Sequence, residues 1–153
     1  MKKYHTCKKG FTLIEILVVI GIIAILAAVV LVAINPGRQF AQARNSQRIS
    51  NVNSLLNAIS QNGADNKGMF TCAAAGALPT VATAIKSGTG GYNVRSCIIP
   101  NYITEIPVDP SIGNFTSATE YDTGYKIMQD ATTKRITISA PGAELEEKIE
   151  VSR

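Results

Sequence analysis

Lys8-Lys9-Gly10-Phe11-Thr12-Leu13-Ile14-Glu15 opens the stretch that decides the fold. A basic segment ends at Gly10, and an apolar run begins abruptly at Phe11. Between Phe11 and Ile34 the only charged residue is Glu15. At about 1.5 Å per residue, a helix over this run is roughly 36 Å long, enough to cross a bilayer core. An acidic side chain in such a helix costs about 2.5–3.5 kcal/mol at the centre, and an ionisable residue there is a functional candidate by default. The bland alternative is that Glu15, near one end, simply reaches the headgroups.

The order Gly10, Phe11, Thr12, Leu13, Ile14, Glu15 resembles the processing site of type IV pilins and type II secretion pseudopilins. The resemblance covers the first quarter of the chain. It implies that a membrane-embedded prepilin peptidase cuts between Gly10 and Phe11 and methylates the new amino terminus on Phe11. It also implies that Glu15 pairs with the terminal amine of a neighbouring subunit during assembly. The partners implied are further copies of the chain, the peptidase, an inner-membrane assembly platform, minor pilins and membrane lipid. No cofactor is implied. An ordinary signal peptide is the competing reading, with Ala24-Ile25-Leu26-Ala27-Ala28 as its weak cleavage site. Its apolar region would be much shorter than this one. An uncleaved signal anchor carrying an extracytoplasmic binding domain is the other alternative.

Charge reads differently once the leader is set aside. The chain has 15 Lys and Arg against 11 Asp and Glu, but Lys2, Lys3, Lys8 and Lys9 all precede Phe11, so the mature chain balances at 11 against 11. The basic excess is therefore a cytoplasmic anchor that places everything after Ile34 outside the membrane; the resemblance implies that this membrane is the inner one and that the exported part joins a periplasmic or extracellular filament. A neutral mature chain without clustered Lys or Arg gives no intrinsic nucleic-acid affinity, which weighs against a DNA-uptake competence pilin.

Of the three cysteines, Cys7 leaves with the leader. Cys72 and Cys97 then form the one possible pair, suited to an oxidising compartment and worth about 3 kcal/mol if closed. Two unpaired buried cysteines remain the alternative. The single His, His5, also lies in the leader, so the mature chain has no imidazole for acid–base work. No enzyme is expected. Asp109, Asn114, Glu120 and Asp122 fall close together and offer oxygen ligands for calcium. Their spacing is not that of an EF-hand, and turn-forming or solvated carboxylates explain them better.

The expected organisation is a leader (1–10), a long helix (11–62, with 11–34 in the membrane) and a globular head (63–153). Pro36 removes a backbone donor and is expected to kink the long helix locally, the alternative being a full break capped by Asn35. Ile49, Val52, Leu55, Leu56 and Ile59 form an apolar stripe that docks on the head, while Arg44 and Arg48 are read as a solvated face. Asn62-Gly63 is the expected stop. Residues 63–91 read as loop with short helical turns at Ala73–Ala75 and Val81–Ile85, and Tyr92, Val94 and Ser96 alternate as in a strand. The proline-rich Ile106-Pro107-Val108-Asp109-Pro110 resembles a segment that precedes the sheet in many pseudopilins. Tyr125 and Ile127, then Ile136, Ile138 and Ala140, alternate around a polar turn and predict a hairpin. Residues 144–153 add an edge element through Leu145, Ile149 and Val151. The fold class is α+β: a long N-terminal helix packed on a small antiparallel sheet.

Overall fold

The computed structural model describes residues 10–153, so Cys7, His5 and the leader lysines lie outside the described residues. The chain divides into two compact units, the first ending at Gln39 and the second running Phe40–Arg153.

In the first unit, helix α1 spans Leu13–Ile34 and buries none of its residues. A helix that is apolar on every face needs an apolar surrounding, and among the described residues it is the one helix long and apolar enough to cross a membrane. It ends at Asn35, whose φ of 47° is left-handed, a conformation Asn tolerates better than most residues. Pro36, with no N–H to donate back into α1, then opens helix α2, Pro36–Asp65. The Asn35 side chain caps it by accepting from the Arg38 N–H at 3.3 Å. The interruption is thus a complete break at one residue, where the sequence favours a local irregularity in a continuous helix.

The second unit is built on α2 from Phe40 onward. Ala41, Asn45, Arg48, Val52, Leu55, Ile59 and Asn62 recur at three or four residues and are all buried. The upper part of this stripe is apolar and the lower part polar. Ile49, expected in the stripe, is 45% exposed. The helix runs past Gly63 to Asp65 because the left-handed reversal is supplied later, by Lys67 and Gly68, with the Gly68 N–H returning to the Gly63 carbonyl at 2.8 Å.

Five antiparallel strands follow: β1 (Thr83–Lys86), β2 (Asn114–Ser117), β3 (Glu120–Gln129), β4 (Ile136–Ala140) and β5 (Ile149–Ser152). The order is β1-β3-β4-β5. Asp122 pairs with both Lys86 and Asn114, so β1 and β2 flank β3 on opposite sides. The β3–β4 hairpin is in register from Lys126↔Ser139 to Gln129↔Ile136, with Asp130 capping the turn through the Thr132 and Thr133 amides. Tyr121, Tyr125, Ile127, Ile138, Ala140 and Ile149 share one core with Val52, Leu55, Leu56 and Ile59 of α2. Two local expectations fail. Val81–Ile85 is not a helical turn, since Thr83–Lys86 pairs with β3. Tyr92–Ser96 is not a strand, because the turn helix α3 starts at Arg95 and ends at Ile98.

Cys72 and Cys97 are disulfide-bonded, with Cα atoms 5.3 Å apart. Asn62 braces both segments: its side-chain amide donates to the Cys97 carbonyl (3.3 Å), and its side-chain oxygen accepts the Thr71 N–H (2.9 Å).

Candidate functional site

Gly10, Phe11 and Thr12 are non-helical and exposed, so the Gly10–Phe11 peptide precedes the first turn of α1. Phe11 is 85% exposed. Thr12 is the N-cap and Glu15 the third helical residue, and together they form a reciprocal capping box. The Thr12 N–H and hydroxyl both donate to Glu15 Oε2, at 2.8 and 2.7 Å, while the Glu15 N–H donates to Thr12 Oγ1 at 3.3 Å. Glu15 Oε1 accepts no hydrogen bond among the described residues. The Thr-x-x-Glu spacing was the signal for this box, and the sequence reading passed over it. Around it, the exposed side chains of Ile14, Val18 and Val19 form an open apolar face on α1.

A second polar constellation lies in the head, where the sequence offered only a solvated face. Arg48 is fully buried, and every N–H of its guanidinium has an acceptor. Nε donates to Asp109 Oδ2 at 2.7 Å, and Nη2 donates to Asp109 Oδ1 at 3.2 Å and to the Ser111 hydroxyl. Nη1 donates to Asn45 Oδ1 (2.8 Å) and Glu144 Oε2 (2.9 Å). Asp109 also accepts from the Ser111 and Ile112 amides and the Ser111 hydroxyl. Burial pushes the Asp109 carboxyl up, but Arg48 and these donors outweigh it and hold it down at about 2. Arg44, at the rim, chelates Glu144 with two 2.7 Å bonds. Arg44 and Arg48 together depress the Glu144 carboxyl to about 2. The burial of Arg48, though not its partners, is signalled by position, since it stands four residues before Val52 and seven before Leu55 on the same face.

The calcium candidates are not drawn together. The Asp109 carboxylate is occupied by Arg48, Asn114 and Asp122 are neighbours across the β2–β3 ladder, and Asp122 Oδ1 accepts from the Gly124 N–H at 2.9 Å. Glu120 is exposed at the start of β3. Among the described residues no three His, Cys, Asp or Glu side chains converge.

Residues 6–31 match the family model described as the prokaryotic N-terminal methylation motif. The chain carries the type IV pilin and pseudopilin signature. No curated protein and no solved structure matches the chain. The signature is a class III leader, which implies processing by a prepilin peptidase and pilus-type assembly, and it marks a family of structural subunits. With one long apolar N-terminal helix among the described residues, it supports a single-pass, membrane-anchored protein.

Proposed function

We propose that the chain is a prepilin, cut between Gly10 and Phe11, methylated on Phe11 and polymerised through α1 into a type IV pilus or a type II secretion-like pseudopilus. The observation that carries this is the arrangement of three features within six residues. An exposed, non-helical Gly10–Phe11 peptide lies ahead of the helix cap, and a carboxylate one turn inside leaves Oε1 without a partner among the described residues. The leader lysines hold the amino terminus in the cytoplasm, and the head is exported.

In assembly, Glu15 takes the Phe11 ammonium of a neighbouring copy. Both charges are costly in lipid, and each offsets the other only when subunits dock. The capping box contributes before that moment. Thr12 satisfies one carboxylate oxygen within the monomer and orients the side chain, and its N–H survives cleavage because it lies on the mature side of the cut.

Coexpression with a prepilin peptidase tests the reading. Mass spectrometry should find a chain ten residues shorter that begins at methyl-Phe11. An intact Met1 terminus, or a cut near Ala28, overturns it.

A further inference from the structure

The two ends of β4 differ in chemistry. At one end, the connection from β4 to β5 carries Leu145 and Glu146 at φ of 58° and 60°. Consecutive left-handed residues are unfavourable for side chains with a Cβ and persist only where neighbours impose them. Here α2 imposes them. The Asn45 side chain donates to the Glu144 carbonyl (2.8 Å) and to Glu147 (2.9 Å), accepts the Glu144 N–H (3.0 Å), and is flanked by the Arg44 and Arg48 bonds to Glu144. The turn is thereby pinned on both sides of its tip. The tip itself is left outside: Leu145 is 42% exposed and Glu146 is exposed.

At the opposite end of β4, beside the β3–β4 turn, lies a cavity of about 290 Å³. Gly68, Met69, Phe70, Ala77 and Leu78 give it an apolar wall, and Gln129 and Lys134 close its polar rim. Met69 stands 68% exposed over it. Neither Lys134 nor Glu146 takes part in any ion pair among the described residues. A held apolar-acidic tip and an apolar-basic cavity thus occupy opposite ends of the same domain.

We propose that the Leu145–Glu146 tip of one copy seats in the Met69–Leu78–Lys134 cavity of the next, with Leu145 against the apolar wall and Glu146 against Lys134. Complementary patches at two different places on one molecule give a heterologous contact, which propagates head to tail and does not close into a dimer. One leucine and one ion pair bury far less than a stable soluble complex requires. The contact therefore acts between copies already held by their N-terminal helices, and in that sense it rests on the filament reading. Its role there is to set the spacing of successive heads.

The test uses the full chain, coexpressed with prepilin peptidase, in a tagged form carrying Leu145→p-benzoylphenylalanine and an untagged form. After irradiation, a tagged adduct of twice the chain mass should form, and its cross-linked peptide should contain Met69–Phe70, Ala77–Leu78 or Gln129–Lys134. Lys134→Glu in the untagged chain should cut the adduct at least five-fold, and Glu146→Lys in the tagged chain should restore it. No adduct of that mass, an adduct mapped elsewhere, or a yield indifferent to Lys134→Glu overturns the proposal. The amino-terminal mass of the same sample reports the processing reading separately, so the two fail in distinguishable ways.

Discussion

Replacing Arg48 with Met should cost the head much more than replacing Arg44, although both arginines hold Glu144. The Arg48 and Asp109 side chains are both fully buried, whereas the Arg44 and Glu144 side chains are 37% and 32% exposed. Removing one member of a buried pair leaves an uncompensated charge and typically costs about 3–5 kcal/mol. A domain of this size loses about 4 °C per kcal/mol, so Arg48→Met should lower Tm by about 12–20 °C. Arg44→Met removes a half-buried pair at the rim, where solvent screens the charge left behind, and should cost far less. The pair also sets an acid limb. The folded carboxyl of Asp109 sits at about 2, below its ordinary value of 3.8, so its contribution is complete above about pH 4 and is lost as pH falls toward 2. That shift is worth roughly 2 kcal/mol. Glu144 is depressed in the same direction and adds to the same limb. Thermal unfolding of the full chain in detergent, followed by circular dichroism between pH 7 and pH 2, measures both effects. Equal Tm for the two variants, or an acid limb in Arg48→Met as steep as in the wild type, would refute the reasoning.

Glu15→Ala should leave insertion and cleavage intact but abolish or slow assembly, because the incoming Phe11 ammonium loses its partner at about 3–5 kcal/mol. Equal yields of sheared filament from the variant and the wild type would defeat that role. Non-reducing mass spectrometry should show the mature protein two mass units lighter than its reduced form, and Cys72→Ser should cost about 3 kcal/mol in chemical denaturation for a loop closed across 25 residues. Gly124→Ala should destabilise by about 2–4 kcal/mol. Its φ is +75°, and an added Cβ would meet the Asp109 Cβ at 2.8 Å and Ile112 at 2.9 Å; an unchanged denaturation midpoint would count against that packing.

The membrane helix, the hairpin and the α+β class were legible because each is a periodic or compositional signal contained in a few neighbouring residues. Ile136, Ile138 and Ala140 alternate, and the partner strand alternates with them. β1 was not legible, because Val81-Ala82-Thr83-Ala84-Ile85 is as compatible with a helical turn as with an edge strand, and β3 decides between them. Arg48 was misread for a related reason. Its partner Asp109 lies 61 residues away, and no local spacing reports a pair formed across the fold. The helix stop was placed early at Asn62-Gly63 because Asn and Gly are strong terminators by type. In the structure Asn62 spends its side chain on two loops, and the reversal moves to Gly68.

That use of Asn62 changes what the disulfide is for. A chain that reaches an oxidising compartment arrives with its thiols reduced. The segments bearing Cys72 and Cys97 are each tied to the last turns of α2 by one amide side chain, through bonds that need no oxidation. Asn62 and the disulfide therefore hold the same two segments by different means, one by hydrogen bonds from the last turns of α2 and the other covalently, so the junction between helix and loops is fixed twice.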